Sequence, residues 1–430
     1  MADEQSDRPP LSRRQVAAVV AGNTLEFYDF VTYAFFAAQI GRALIPGDAS
    51  SKLLLSLATF GVGFLTRPLG GLMIGRMADR RGRKPAMILS FSIMGVAMTG
   101  LALTPSYAVA GVVAPLLAVF FRLLQGFALG GEVGPNIAYL MEAAPPGRRG
   151  FYIALNFASA DLAVLVAGLV GFGLASNLSP DQLESWGWRV AFLLGAAIVP
   201  FALGLRRTLV ETLPERTEVQ TEIAPARPLM LLAGAGLLII AGATISNYTL
   251  DYLTTYAQAT LHMAVPTAFA ATVVLGVIGV AGDLVGGLLA DRFGPKRVLV
   301  IPWLILIASV IPVFHVLNEL RTASALLAST AALTVFHILG SSPATLHFVQ
   351  ALPARVRAGA IGIVYALAIA IFGGTTQLIE TLLIRWTGNP VAPGWYMMGA
   401  VMFALAGALF IPEASRKNRN SSRDIVKVAG

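Results

Sequence analysis

Two carboxylates and two guanidiniums stand inside long apolar stretches of this chain. Glu26 and Asp29 lie in GNTLEFYDF, residues 22–30, within a run that is otherwise almost entirely apolar from Val16 to Ile45. Arg67 lies in GFLTRPLGG, residues 63–71, and Arg122 opens RLLQGFALGGE. A carboxylate can take up and release a proton, and a guanidinium can hold a carboxylate through two parallel hydrogen bonds. Together they are the parts of an ion-coupled binding site. Asn23, Glu26 and Asp29 follow one another at three-residue spacing, so on a helix they project within a sector of roughly 120°. The same spacing also suits a structural ion pair that locks helices together. That reading stays open for all four charges, most of all for Arg67 beside Pro68 and Gly70–Gly71.

The elements that position these groups follow from composition. Of 430 residues, 56% are hydrophobic and 13% charged, with mean hydropathy +0.73. A soluble domain carries about a quarter of its residues charged, so the chain is a polytopic membrane protein and one partner is the lipid bilayer. Runs of roughly 20 apolar residues, each long enough to cross a hydrocarbon core, recur twelve times. The expected organisation is an all-α protein: an N-terminal tail over 1–15, a six-helix bundle over 16–207, a charged linker over 208–227, a second six-helix bundle over 228–411 and a tail over 412–430. Most of the 31 lysines and arginines fall on the side shared by both termini. Arg42, Lys52, Arg189, Arg321 and Arg385 fall on the other, and Arg67 and Arg122 within helices. By the positive-inside rule both termini are cytoplasmic, and no removable signal peptide is expected. The net charge of +8 is therefore mostly topology, and no nucleic-acid partner is expected. A charge at mid-membrane costs about 2.5–3.5 kcal/mol on insertion scales, so such residues usually face a bundle interior and mark a pathway. Arg67, about 18 Å along a helix from Asp79, and Arg122 are both expected near the midplane.

The loop GRMADRRGRK at 75–84 returns as GLLADRFGPKR at 287–297, half a chain later. A repeat of that period is the mark of a two-bundle transporter with its site between the halves. G-x-x-x-D-R-x-G-R-K resembles the signature of the major facilitator superfamily over the whole chain. Residues 122–150 look like its fourth-helix motif. GNTLEFYDF, GFLTRPLGG, RLLQGFALGGE, WGWR at 186–189 and IFGG at 371–374 are similar to the metabolite:proton symporter family. Within it, GNTLE and TGNPVAPGW at 387–395 look most like the citrate-type symporters.

The resemblance implies that the first and fourth helices line the N-terminal half of the site. One of Glu26 and Asp29 would then be the proton acceptor, paired with Arg122 until a substrate carboxylate competes for it. Glu132, in the cytoplasmic half, is expected either to relay the proton inward or to partner the basic 76–84 loop. Arg67, Asn23, Tyr28 and Asn156 are candidate contacts in the N-terminal bundle. Asn247, Tyr248 and Tyr252, in the polar stretch SNYTLDYLTTYAQ at 246–258, and Tyr365 are those of the C-terminal bundle. Asp79, Arg80, Arg83, Asp291 and Arg292 are expected to form a cytoplasmic gate, with Glu142 and Arg149 in the same latch. Asp161, Asp251, Asp283 and Glu380 depart from the citrate-type pattern, because further acids in a cavity repel a tricarboxylate.

The expected function is proton-coupled import of an organic acid, citrate or a similar tricarboxylate, by a monomer in a bacterial inner membrane, driven by the proton gradient with no cofactor. Alternatives are symport of a dicarboxylate such as 2-oxoglutarate or of a zwitterion such as proline or betaine. A drug:proton antiporter, a channel and a non-transporting sensor stand further off. No Gly-Lys-Ser/Thr phosphate loop supports an ATP-driven pump, and nothing supports an enzyme. The chain has no Cys, and its four His residues form no ligand pattern.

Overall fold

Within hydrocarbon, a chain satisfies its backbone amides internally by forming helices, and this chain does so twelve times. The structure is a computed structural model. It describes the backbone of residues 13–81, 83–130, 140, 144–145, 147–207 and 228–412, and the side chains of 21–77, 85, 88–130, 140, 144–145, 147–197, 199–200, 228–353 and 360–412. The first span is Arg13–Phe35 continued by Ala37–Leu44, and the second is Ala49–Val62 continued by Arg67–Arg81. The third is Arg83–Ala102, the fourth Val113–Leu129, the fifth Arg149–Asn177 and the sixth Trp188–Arg207. After the 208–227 stretch, which lies outside the described residues, come the seventh, Leu229–Ala259, the eighth, Val265–Phe293, the ninth, Pro295–Leu320, and the tenth, Ala323–Ala351. The eleventh is Ala354–Ala368 continued by Thr376–Thr387, and the twelfth is Ala392–Phe410. Large apolar side chains left on the outside, among them Leu65, Phe120, Leu288 and Phe403, give the bundle a lipid-compatible surface.

The second span, expected as one continuous helix, breaks over residues 63–66. Pro68 has no amide to continue the ladder, and glycines at 61 and 63 allow the backbone to tighten. The break closes through short-range bonds, Phe64 N to Gly61 O at 3.0 Å and Arg67 N to Phe64 O at 3.2 Å. Arg67 thus stands at the head of a new helix. The neighbouring fourth span lies so close that a Cβ on Gly126 would sit 1.5 Å from the Gly63 carbonyl oxygen, so only glycine fits there.

Two seams join the bundles, and small residues line both, as close helix approach requires. Along the fifth and eighth spans, Gly150 meets Gly287, Gly279 meets Asp161, Gly276 meets the Leu165 backbone and Gly171 meets Phe269. The second and eleventh spans touch where Gly61 meets the Gly374 carbonyl, beside a wide π-type turn at Ile369–Gly373. At the face opposite the two DR-x-G loops, Gln39 donates to the Gln258 amide oxygen at 2.9 Å, and Phe36 packs on Phe269 with centroids 4.9 Å apart. The bundles are therefore closed against each other at that face.

Candidate functional site

Helix periodicity brings the first and fourth spans face to face with their charged residues inward. Asp29, Gln125 and Arg122 are all fully buried and form one chain of hydrogen bonds. Arg122 Nη1 donates to Gln125 Oε1 at 2.8 Å, and Gln125 Nε2 donates to Asp29 Oδ1 at 2.8 Å. Arg122 Nη2 donates to the Phe60 carbonyl at 3.2 Å, an acceptor supplied by the broken second span. Three rings surround the same guanidinium: Tyr33 at 4.6 Å, Phe30 at 5.0 Å and Phe60 at 5.1 Å from its Cζ. A desolvated cation over an aromatic face gains about 2 kcal/mol, which offsets part of the cost of burying the charge.

Arg67 occupies the other side of Phe30. Its Cζ lies 4.6 Å from that ring and 4.2 Å from Phe64, it is only half-buried, and its Nε has no hydrogen-bond partner. The charge of Glu26 and the hydroxyls of Tyr248 and Tyr365 bear on it. The two guanidiniums thus share the Phe30 ring and gather positive charge at one place. Tyr248 brings the C-terminal bundle to it, with centroids 6.3, 6.1 and 6.0 Å from Phe30, Phe60 and Phe64. The acids thus divide their cations: Glu26 acts on Arg67, whereas Asp29 reaches Arg122 through Gln125. Among the described residues the ion pair within 4 Å is Arg42 with Glu184 at 2.7 Å, away from this centre.

Other candidate contacts lie elsewhere. Asn23 gives its amide hydrogens to the Asn156 carbonyl at 3.0 Å and Ser159 Oγ at 2.7 Å, which ties the first span to the fifth. Tyr28 donates to the Ala191 carbonyl at 2.9 Å and is 3% exposed, so it packs on the sixth span and is not a contact in the central site. Asn156 is buried with its Oδ1 unpartnered. Tyr252 hydrogen-bonds the Thr381 hydroxyl at 2.9 Å, and Asn247 donates to Asp251 Oδ2 at 3.4 Å, so both have partners within the C-terminal bundle.

At the basic face Asp291 accepts the amides of Gly150 at 2.7 Å and Phe151 at 2.9 Å. It thereby caps the first turn of a helix in the opposite bundle. Arg149, at the head of that helix, is exposed, and Arg292 lies 5.2 Å over the Phe293 ring. Glu132 and Glu142 lie outside the described residues, as do the side chains of Asp79, Arg80 and Arg83. Sequence reasoning missed Gln125 and the rings of Phe30, Phe60 and Phe64. Gln125 was within reach, since it stands three residues after Arg122 on the same helix face.

The sequence profile of the Major Facilitator Superfamily matches residues 19–375. The Citrate-proton symporter of Klebsiella pneumoniae is 33% identical over 404 residues, covering 92% of this chain and 91% of the relative. The Alpha-ketoglutarate permease of Escherichia coli (strain K12) is 30% identical over 407 residues, covering 92% and 94%. Among solved structures, the proton:xylose symporter XylE bound to 6-bromo-6-deoxy-D-glucose superposes with a TM-score of 0.74 at 16% identity, covering 93% of this chain and 95% of that one, a likeness of fold. Profile, relatives and fold agree: this chain is a multi-pass membrane protein of the Major Facilitator Superfamily, similar in sequence to the citrate-proton symporters.

Proposed function

We propose that the protein is a proton-coupled symporter for an organic acid, with citrate or a similar tricarboxylate as substrate, working by alternating access in a bacterial inner membrane with both termini cytoplasmic. The observation that carries this reading is the chain Asp29–Gln125–Arg122 beside the half-buried Arg67. An incoming carboxylate binds Arg67 and draws Arg122 toward itself. Gln125 then loses its acceptor role, Asp29 loses its link to a cation, and a carboxylate without a nearby positive charge in a low-dielectric site takes up a proton. Anion and proton load together, and neither is favoured alone. Glu26, bearing on Arg67, sets how readily that arginine gives itself to substrate. The proton gradient supplies the energy, and the chain's own residues supply the linkage.

A second reading, a dicarboxylate such as 2-oxoglutarate, is favoured by Asp161, Asp251, Asp283 and Glu380, all buried, since additional acids disfavour a trianion. The 30% identity to the permease of that name points the same way. The test is uptake of labelled citrate into proteoliposomes under an imposed inward proton gradient, competed with tricarballylate, 2-oxoglutarate, proline and betaine. Uptake abolished by an uncoupler and competed by carboxylates is expected. Uptake of betaine with no response to any carboxylate would overturn the proposal.

A further inference from the structure

We propose that Asp161 and Asp283, one from each bundle, share a proton across the seam between the fifth and eighth spans, and that this proton keeps the basic-face end of the seam shut. The proposal rests on the symport reading only for the direction in which the proton travels.

Both carboxyls are buried, at 6% and 1% exposure; Asp161 packs against Gly279, one helical turn before Asp283 on the same helix face, so the two carboxyls stand next to one another and each acts on the other. Two ionised carboxylates only accept hydrogen bonds and repel one another, so a buried pair side by side is held together when one of the two carries a hydrogen. The approach is built into the backbone: a Cβ on Gly279 would lie 2.3 Å from Asp161 Oδ2, so any side chain there would drive Asp161 out of the groove. Among the described residues neither oxygen of Asp283 has a hydrogen-bond partner. The Ser342 hydroxyl, 2% exposed and otherwise without a partner, faces Asp283 from the tenth span.

Among the described residues the surroundings offer no cation in place of the proton. The charge acting on Asp161 from the seventh span is a further carboxylate, Asp251, which also acts on Glu380. From the first span, Asn23 and Thr24 reach Asn156 and Ser159, while Glu26 and Asp29 act on the arginines. On the tenth span the ring nitrogens of His337 have no partner, and its carbonyl accepts from Trp303. Basic groups of the sixth and ninth spans stand at helix ends, where Arg189 donates to the Thr104 carbonyl and Lys296 to those of Leu409 and Ile411. No cluster of three His, Asp or Glu able to hold a metal exists among the described residues.

Asp283 precedes Asp291 by eight residues, about 12 Å along the helix. The pair therefore stands about two helical turns from the bonds that Gly150 and Phe151 make to Asp291, on the same seam. When the shared proton leaves for water, an acid and a carboxylate become two carboxylates in contact. Their repulsion in a low-dielectric seam separates the bundles at the basic face.

The chain has no Cys, so spin labels can be placed at Arg148→Cys and Arg297→Cys, both exposed positions, and their separation measured without substrate between about pH 5 and pH 9. The expected result is a rising fraction of the long distance as pH rises, by up to about tenfold per pH unit for one proton. Asp283→Asn, whose amide can donate to Asp161 without a proton, keeps the short distance at every pH, and Asp161→Asn with Asp283→Asn loses the response. A wild-type distance unchanged across this range overturns the proposal, as does a wild-type pH curve in the folded double variant or, should that variant not fold, in Asp283→Asn. Asp29→Asn carried in parallel separates the two readings: it abolishes proton-driven uptake and leaves the seam's response intact. If citrate uptake proves independent of protons while the seam still responds, the proposed function falls and this inference stands.

Discussion

Replacing Gln125 with Leu tests whether the linkage between anion and proton runs through that side chain. The substitution conserves approximate volume and removes two bonds, one from Arg122 and one to Asp29, each 2.8 Å and fully buried. A hydrogen bond to a charged group is worth about 1.5–3 kcal/mol. The linkage passes through both bonds in series, so the smaller of the two limits it. Its loss weakens the coupling free energy by about 1.5–3 kcal/mol, or about 10- to 150-fold in how strongly protonation changes substrate affinity. The assay is citrate affinity of the purified protein at about pH 5.5 and pH 8. Wild-type protein binds more tightly at the lower pH, and Gln125→Leu brings the two affinities together. Reciprocity requires that citrate then no longer drive proton uptake in an unbuffered solution. If Gln125→Leu kept the full pH dependence of affinity while remaining folded, Asp29 and Arg122 would be coupled without it and the relay would be wrong.

Three further expectations follow. Arg67→Lys keeps the charge but loses the planar stacking on Phe30 and Phe64, and raises the half-saturation concentration for citrate about tenfold, read from initial uptake rates; an unchanged value removes Arg67 from the substrate site. Tyr28→Phe deletes the bond to the Ala191 carbonyl and lowers stability by about 1 kcal/mol, measured by thermal unfolding in detergent, with uptake kinetics unchanged. Asp48, at the exposed head of the second span, is held below the ordinary carboxylate range by hydrogen bonding to Ser51. Its cap is therefore fully present above that range and is lost as pH falls through the lowered value, so the melting-temperature gap between wild type and Asp48→Ala should close on acidification.

Glu26, Asp29, Arg67 and Arg122 were legible because each is an exception to its own neighbourhood, and a charge in a hydrocarbon-length run has few bland explanations. The half-chain repeat of the DR-x-G loop likewise announced two bundles. Partner assignment was not legible. Sequence links an acid of the first span to Arg122 without saying which; the structure joins Asp29 to it through Gln125, while Glu26 acts on Arg67, whose place at the head of a new helix depends on the break ahead of Pro68. Tyr28 and Asn23 share the polar sector of Glu26 by type, yet their donors are consumed by the Ala191 and Asn156 carbonyls, acceptors that no sequence pattern announces. The packing of Asp161 against Gly279 was equally hidden, since it joins residues from different halves across a groove made by an absent side chain.

The break in the second span has one more consequence. The oxygen that receives Arg122 Nη2 belongs to the backbone of Phe60, so no side-chain replacement at position 60 deletes it directly. A mutational scan would score Phe60 for its ring alone, and the acceptor would stay genetically silent. Only changes that straighten the helix, at Gly61, Gly63 or Pro68, would take that oxygen away, and they would look like folding defects far from any charge. Part of what holds the buried cation is therefore inherited as a backbone shape, and it can persist in relatives whose side chains around it have drifted.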